Sequence, residues 1–333
     1  MRNLSALEEV DKVYKRLGIT FDSYNGEAFY NDKMQPIIDA LKQKNLLVES
    51  DGAMVVNLDE YGMPPCLILK SDGATLYATR DLAAAVYRKN TYDFYKNLYV
   101  VAYQQNLHFK QLFKVLELLG YDWAKDCVHV PFGMVSLEGV GAMSTREGKV
   151  VKLKDVLSEA VDKTKAIISQ KNPELENKDE TAEAIGVGAV VFGALINGRI
   201  KDVVFSVDKT LNFDGETGPY LQYTHARCCS ILSKGEAGEA DYSTLTDDET
   251  FELVRLLSRF DQTVTTAAER YEPSIISRYL IDLAQAFNKF YIGHRVICDD
   301  EKLQSSRLAI TKAVRDALRN GMSLILLKAP EKM

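Results

Sequence analysis

The residues best suited to chemistry lie in the run Gly218–Cys228, which contains two tyrosines, a histidine and an arginine. Pro219 favours the first turn of a helix, because its φ is already helical and its missing N–H needs no partner there. A helix places Tyr220, Tyr223 and Arg227 on one face, at positions i, i+3 and i+7. Rings and guanidinium groups stack on unpaired bases, so this face predicts RNA binding. A core helix with an ion-paired arginine is the alternative.

A second set of polar residues lies nearer the start of the chain. Asp72-Gly73 predicts a turn, residues 75–78 predict a strand, and Thr79 predicts the N-cap of the following helix. Tyr77 would then end the strand and Asp81 would lie in the first helical turn, where open α/β sheets bind ligands. A carboxylate there suits a guanidinium, which forms two parallel hydrogen bonds. The alternative is that Asp81 only stabilises the helix N-terminus.

Two further segments offer polar groups at strand ends. Gln105 and His108 follow a predicted strand at residues 98–102, where amides and a histidine suit either a small-molecule site or a helix cap. Residues 133–151 form a predicted loop of small residues that carries Arg146 and joins two apolar strands. Mobile loops of this kind clamp phosphates, whereas a solvated hairpin tip is the alternative.

The predicted secondary structure changes once along the chain, from mixed strands and helices to helices alone. Residues 98–102 predict a buried parallel strand, residues 109–119 a helix stopped by Gly120, and residues 127–130 a second strand. Together they predict a βαβ unit. From about residue 153 onward the pattern is helical, so we predict an α/β, partly Rossmann-like domain followed by an all-α helical bundle.

The helical part has its own predicted divisions. Residues 182–199 are rich in Gly and Ala, which predicts close helix–helix packing. Further helices are predicted at residues 251–268, 275–291 and 306–327, with loops at 169–181 and 235–248.

Composition limits the possible classes of protein. The 333 residues, 46% hydrophobic and 26% charged, predict two globular domains. We find neither an apolar run of about eighteen residues nor a signal peptide, so we expect a cytoplasmic protein with no membrane partner. A formal net charge of −6 disfavours generic nucleic-acid affinity and predicts specific docking of any RNA. The five cysteines include no Cys-x-x-Cys pair, so we expect no structural metal.

The usual phosphate-binding loops are absent from the sequence. No Gly-x-Gly-x-x-Gly motif follows a predicted strand, and Gly148-Lys149 is followed by Val150 rather than Ser or Thr. A P-loop nucleotidase and a dinucleotide-dependent enzyme are therefore disfavoured.

Several motifs, in order and spacing, carry a family resemblance. They are Lys70-Ser71-Asp72-Gly73, Leu76-Tyr77-Ala78-Thr79-Arg80-Asp81, Gln104-Gln105-Asn106-Leu107-His108, Met143-Ser144-Thr145-Arg146, Gly218–Arg227 and Asp316-Ala317-Leu318-Arg319. Over essentially its whole length the chain resembles the C-terminal portion of the arginyl-tRNA synthetases, a family of class I aminoacyl-tRNA synthetases. The resemblance implies the second half of the nucleotide-binding catalytic domain in residues 1–132, a signature loop and junction in residues 133–165, and a helical anticodon-binding domain in residues 166–333.

The resemblance also implies roles for single residues. The arginine-binding residues would be Tyr77, Asp81 and Gln105, with Asp81 facing the substrate guanidinium. The ATP-binding residues would be His108, Met143, Ser144 and Arg146. The anticodon-binding residues would be Tyr220, Tyr223, Arg227, Tyr291 and Met333. The chain departs from the family pattern in two places: Ala142 and Thr145 stand where the Lys-Met-Ser-Lys-Ser signature has lysines, and Arg295 stands where some relatives have an aromatic residue.

The activity implied by the resemblance is ligation of L-arginine to its tRNA, with ATP cleaved to AMP and pyrophosphate. ATP with Mg²⁺ would be required, arginine tRNA would be the macromolecular partner, and the protein would be a monomer. Another class I synthetase, of the cysteinyl or methionyl type, is disfavoured by the lack of a Cys-x-x-Cys pair. A non-catalytic tRNA-binding protein built on the helical module is a further alternative.

One motif of class I synthetases is missing from this sequence. The four histidines are His108, His129, His225 and His294, and none lies in a His-x-Gly-His pattern. We therefore expect a fragment that starts after the first half of the nucleotide fold, and we predict that this chain alone does not form arginyl-adenylate. Arginine-dependent ATP–pyrophosphate exchange, with and without tRNA, measures this directly, and robust exchange by the chain would contradict the prediction.

Overall fold

The protein forms two compact units. The computed structural model describes residues 2–139, 151–236 and 238–333, with side chains from residue 8 onward. One unit is Phe21–Met134, and the other combines Met1–Thr20 with Val135–Met333. Among the described helices, none combines the length and the apolar composition that crossing a membrane requires.

The elements follow one another in a strand-containing first part and a helical second part. The helices are α1 (Arg2–Leu17), α2 (Met34–Gln43), α3 (Tyr77–Tyr92), α4 (Asn106–Leu118), α5 (Leu153–Lys171), α6 (Lys178–Leu195), α7 (Val207–Thr210), α8 (Gly218–Leu232), α9 (Asp248–Leu257), α10 (Phe260–Arg270), α11 (Ser274–Gly293) and α12 (Glu301–Leu324). The strands are β1 (Leu47–Ser50), β2 (Ala53–Val56), β3 (Cys66–Leu69), β4 (Asn97–Ala102), β5 (Cys127–Phe132), β6 (Val135–Leu137) and β7 (Val203–Phe205).

The unit Phe21–Met134 contains the predicted βαβ arrangement. Strands β4 and β5 pair in parallel, with Asn97 opposite Cys127 and Ala102 opposite Phe132, and α4 connects them. Gly120 follows α4 with a φ of +84°, a backbone conformation that favours glycine, so the predicted stop is confirmed. Strands β1, β2 and β3 form a separate antiparallel sheet in this unit.

Strand β4 is buried on one face only, so the prediction of a fully buried strand is wrong. Tyr99 is buried and packs against Phe109 and Phe113 of α4. Leu98 and Val100 point to the opposite face and are 44% and 65% exposed. An apolar run predicts burial of both faces, but burial also requires an element packed on each side.

The predicted strand at residues 75–78 is also wrong, because α3 already begins at Tyr77. Its N-cap is Leu76 rather than Thr79. Thr79 lies inside the first turn, fully buried, and its hydroxyl donates to the Ile68 carbonyl at 2.5 Å. Thr and Tyr favour strands, but the alanines that follow favour helix and bury the inner face of α3 against β3.

Where the structure describes it, the unit of Met1–Thr20 and Val135–Met333 consists of helices, their connections and the parallel strand pair β6–β7. The predicted loop at residues 169–181 is shorter than expected, because α5 extends to Lys171 and α6 begins at Lys178. The predicted loop at residues 235–248 lies between α8, which ends at Leu232, and α9, which begins at Asp248. The predicted helix at residues 251–268 is two helices, α9 and α10, separated at Ser258-Arg259. The largest core of this unit joins the apolar faces of α8, α9, α11 and α12.

Helices α5 and α6 pack closely, as the Gly- and Ala-rich sequence of α6 predicts. A Cβ built on Gly186 would lie 2.7 Å from the Cα and 2.8 Å from the amide N of Val161 in α5. These are backbone atoms, which cannot turn aside as a side chain can. Gly186 is therefore required where the two helix backbones approach each other.

We expect Gly186→Ala to lower the free energy of unfolding. Alanine gains roughly 0.5–1 kcal/mol over glycine inside a helix, but overpacking costs about 1–3 kcal/mol, so the steric term dominates. Gly293, at the end of α11, is the matched control, because a Cβ there meets no atom within 4 Å. Urea denaturation of both variants checks the prediction, and equal stability for the two variants would contradict it.

Candidate functional site

The predicted arginine-binding carboxylate is paired with the predicted ATP-binding histidine. Asp81 lies on the second turn of α3 and His108 on the first turn of α4. The His108 Nε2 lies 2.7 Å from the Asp81 Oδ2, and the side chains are 23% and 40% exposed. The family resemblance assigned the two groups to different ligands, whereas the fold brings them into direct contact.

The other two predicted arginine-binding residues are exposed on the same elements. Tyr77 lies one turn before Asp81 on α3, is 70% exposed, and has the Arg80 guanidinium carbon 5.9 Å from its ring centroid. Gln105 is exposed in the short turn between β4 and α4, three residues before His108. Tyr77 and Asp81 thus lie in the first two turns of α3, and Gln105 and His108 lie at the start of α4.

Burial controls ionisation beside this pair. Tyr99 is buried under it, and this burial raises the pKa of its phenol well above the ordinary value. The phenol is therefore neutral at physiological pH, and its hydroxyl accepts a hydrogen bond of 2.9 Å from the Asn97 Nδ2.

Three of the predicted ATP-binding residues lie outside the described residues. They are Met143, Ser144 and Arg146. The strand that precedes the segment 133–151 is β5, and within the segment Val135–Leu137 form β6, which pairs in parallel with β7. The second apolar strand predicted to flank the loop falls mostly outside the described residues.

A groove of about 1570 Å³ lies in the helical unit and contains most of the predicted anticodon-binding residues. Its walls come from the segment after α5, the start of α6, α8, the end of α11 and the segment Lys328–Met333. The predicted residues on its surface are Tyr223, Arg227, Tyr291 and Met333. Arg295, which stands where some relatives have an aromatic residue, also lines it and is exposed.

Two tyrosines in the groove share one guanidinium. Tyr223 is 42% exposed and Tyr291 is 41% exposed. The guanidinium carbon of Arg227 lies 4.8 Å from the Tyr223 ring centroid and 5.2 Å from the Tyr291 ring centroid. This arrangement presents two aromatic faces and a cation to a ligand, as stacking on unpaired bases requires.

Tyr220 faces differently from the other two predicted residues of α8. It is partly buried, packs against the helical core and does not line the groove. Its hydroxyl accepts a hydrogen bond of 2.9 Å from the Asn288 Nδ2. The predicted stripe therefore divides: Tyr223 and Arg227 face the groove, and Tyr220 supports them from the core.

Sequence reasoning missed Asn288, which connects this group. Its Nδ2 also donates to the Thr224 hydroxyl at 3.0 Å, and its Oδ1 accepts from Arg227. Asn288 thus fixes the guanidinium between α8 and α11. Its position three residues before Tyr291, on the same helix face, is the signal that could have identified it.

Met333 contributes its backbone and a packed side chain. The side chain contacts the small core of Ile168, Ala182 and Ile185. The backbone oxygen accepts from the Asn172 Nδ2 at 3.1 Å. These two contacts hold Met333 at the edge of the groove. Its role in anticodon binding stays a prediction.

The groove also contains a cysteine, Cys229. Its burial raises the pKa of the thiol. The thiol is therefore protonated at neutral pH, and a protonated thiol is a poor nucleophile. Cys229 therefore offers the groove no activated nucleophile.

One group of side chains among the described residues has the spacing of a metal site. Asp247, Glu249 and His294 place ligand atoms within 4.8 Å of one another. Asp247 caps α9 by accepting from the Thr250 amide, and the His294 Nε2 lies 3.2 Å from Asp247 and 3.4 Å from Glu249. These mutual contacts account for the cluster as a junction between α9 and α11.

Comparison with known families matches both parts of the chain. Residues 3–207 match the family described as "tRNA synthetases class I (R), catalytic domain". Residues 221–333 match the family described as "DALR anticodon binding domain". The second match includes the groove side chains of α8 from Tyr223 onward and of α11.

Individual relatives agree with these matches. The chain is 56% identical to an arginine–tRNA ligase of Halothermothrix orenii and 55% identical to one of Clostridioides difficile, covering 100% and 98% of this chain. It spans 59% and 58% of the lengths of those relatives. The Thermus thermophilus arginyl-tRNA synthetase superimposes with a TM-score of 0.86 at 26% identity, over 96% of this chain and 61% of that one.

Proposed function

The chain belongs to the class I arginyl-tRNA synthetase family, and on that premise we propose that it is the part of an arginine–tRNA ligase that binds arginine and the tRNA anticodon. The complete reaction joins L-arginine to its tRNA, with ATP cleaved to AMP and pyrophosphate. The observation that carries the proposal is the Tyr223–Arg227–Tyr291 group in the groove of the helical unit.

In the arginine site, Asp81 is the residue that recognises the substrate guanidinium. His108 contacts one of its carboxylate oxygens, and the carboxylate has further lone pairs for a second donor. A planar guanidinium can use both oxygens, whereas the ammonium of lysine cannot form two parallel bonds. Tyr77 and Gln105 line the same pocket in this proposal.

In the anticodon site, Tyr223 and Tyr291 stack on unpaired bases and Arg227 supplies charge. The net charge of the chain is −6, so binding depends on this local group rather than on a generally basic surface. Tyr220 and Met333 complete the site by supporting α8 and the edge of the groove.

ATP and Mg²⁺ belong to the proposed reaction as the family's energy source. His108 lies beside the arginine pocket, and Met143, Ser144 and Arg146 would face the phosphates. Those three residues lie outside the described ones, so Mg²⁺ is assigned no ligand from this chain. The chemistry requires positioning and charge stabilisation, without a protein nucleophile.

The remaining features of the proposal concern organisation. The domain limits of residues 1–132, 133–165 and 166–333 remain a prediction. A monomeric, cytoplasmic protein is proposed from the same resemblance.

We expect this chain to bind an anticodon stem–loop of arginine tRNA more tightly than a stem–loop with the same stem and a scrambled loop. The reason is that stacking and base contacts in the groove depend on the nucleotides of the loop, whereas electrostatic attraction to phosphates is the same for any RNA sequence. Fluorescence anisotropy with labelled stem–loops at several salt concentrations provides the measurement. Equal, weak affinity for both RNAs would contradict the proposal.

A further inference from the structure

Helix α8 has a second polar face beside the one that meets the groove. Gln222 and His225 lie at positions i and i+3 of this face and are 0% and 1% exposed. Buried amides and imidazoles carry a desolvation cost unless their hydrogen bonds are made. The hydrogen-bond partners of Gln222 and His225 therefore indicate which part of the chain this second face of α8 holds in place.

Both side chains bind the backbone of the segment Lys328–Met333. The Gln222 Nε2 donates to the Lys328 carbonyl at 2.8 Å and to the Ala184 carbonyl of α6 at 3.0 Å. The His225 Nδ1 lies 3.0 Å from the Pro330 carbonyl. Because a carbonyl only accepts, the Nδ1 carries the proton and donates it.

The charge state of His225 suits this contact. Burial lowers the pKa of its imidazole, and the nearby Arg315 and Arg319 act in the same direction, whereas the hydrogen bond to Pro330 and the charge of Glu331 oppose them. The neutral ring, with its proton on Nδ1, is therefore the form present at physiological pH.

The segment held in this way is irregular backbone and forms one wall of the groove. Leu327, immediately before it, is buried in the helical core, and Met333 is held by Asn172. Between Leu327 and Met333, the hydrogen bonds of Gln222 and His225 connect α8 to the backbone of the segment at Lys328 and Pro330. Ordering irregular chain costs free energy for every residue that is fixed, so a wall ordered in advance favours ligand binding.

We propose that Gln222 and His225 are positioning residues that hold Lys328–Met333 as one wall of the groove that Tyr223 and Tyr291 also line. They touch the segment rather than the ligand and act through it. This inference rests on the proposed binding of an anticodon loop in the groove. Helix α8 thus supplies both the exposed ring of Tyr223 and the two side chains that hold the segment Lys328–Met333.

The test compares four variants of the chain. His225→Leu and Gln222→Leu remove the donors, and His225→Asn keeps an N–H close to the position of Nδ1. Thr164→Val is the matched control, because Thr164 is equally buried but donates to Ala160 within its own helix, α5. Each variant is measured by hydrogen exchange of the amides in residues 327–333 and by anisotropy with the arginine anticodon stem–loop.

We expect the two leucine variants to speed amide exchange in residues 327–333 and to raise Kd for the stem–loop by about tenfold, the equivalent of ordering roughly one further residue. His225→Asn should restore both towards wild type, and Thr164→Val should change neither. If Gln222→Leu does not fold, Gln222→Met, which keeps an unbranched side chain of similar length without the donor, replaces it and should show the same faster exchange and the same rise in Kd.

Two results would overturn the inference. Unchanged exchange in residues 327–333 for the leucine variants would show that the bonds do not hold the segment. Faster exchange with unchanged Kd would show that the segment does not serve binding. The proposed function fails in a different way, since wild-type chain would then not distinguish the arginine stem–loop from the scrambled one.

Discussion

Asp81→Asn is expected to reduce kcat/KM for arginine far more than kcat/KM for ATP in the complete enzyme. Removing one partner of a desolvated charged pair costs on the order of 2–5 kcal/mol. Asp81 is 40% exposed before any ligand binds, so we expect the lower part of that range, a loss of roughly 30- to 300-fold. Steady-state ATP–pyrophosphate exchange with arginine and ATP varied separately measures both values.

The substitution should leave the fold intact, because the asparagine side chain can still bond the His108 imidazole. Glu27→Gln is the matched control on the same unit. Glu27 is 73% exposed and pairs with Arg80, one residue before Asp81, at 2.6 Å. An exposed pair contributes about 0–1 kcal/mol, so this variant should use arginine normally. A value for Asp81→Asn within about threefold of wild type would refute the pocket assignment.

Tyr223→Ala is expected to weaken binding of the arginine anticodon stem–loop while leaving thermal stability nearly unchanged. A base that stacks on an aromatic ring contributes about 1–3 kcal/mol, so Kd should rise roughly 5- to 150-fold. The ring is 42% exposed, so its removal leaves no sealed cavity. Anisotropy and thermal unfolding on the same samples separate the two effects.

Tyr279→Ala is the contrasting variant, because Tyr279 is buried and its hydroxyl donates to the Leu256 carbonyl. Loss of a core aromatic costs about 3–5 kcal/mol of stability. If Tyr223→Ala instead lost stability as Tyr279→Ala should, with unchanged RNA affinity, the ring would belong to the core.

Arg227→Ala should weaken the same RNA and also flatten the dependence of affinity on salt. One lost phosphate contact lowers the slope of log K against log salt by about 0.7–0.9. An unchanged slope with weaker binding would assign Arg227 to stacking beside Tyr223 and Tyr291 instead of to a phosphate.

Local patterns were sufficient wherever neighbouring residues decide the conformation. The strand–helix–strand order around α4 followed from apolar runs of the right length, and Gly120 marked the helix end because few other residues adopt its φ. Pro219 and the spacing of the tyrosines likewise predicted α8. The order of several motifs along the chain predicted the family, and the family matches confirm it.

Which way each side chain faces was decided by tertiary packing. Spacing placed Tyr220 and Tyr223 on one stripe, but α11 covers Tyr220 through Asn288 and leaves Tyr223 open. Likewise, β4 reads as fully buried, yet Val100 is exposed because burial depends on which elements pack on each face.

The contacts between distant residues also needed the folded chain. Asp81 and His108 lie 27 residues apart, and His225 and Pro330 lie 105 residues apart. No local pattern encodes such a pair, because it depends on how helices and segments remote in sequence pack together. The sequence by itself therefore determined which residue types are available and the helices and strands that carry most of them. Only the tertiary structure decided that α8 contacts the segment Lys328–Met333, which forms one wall of the groove. The reason is that the chain must fold back so that this segment lies beside α8.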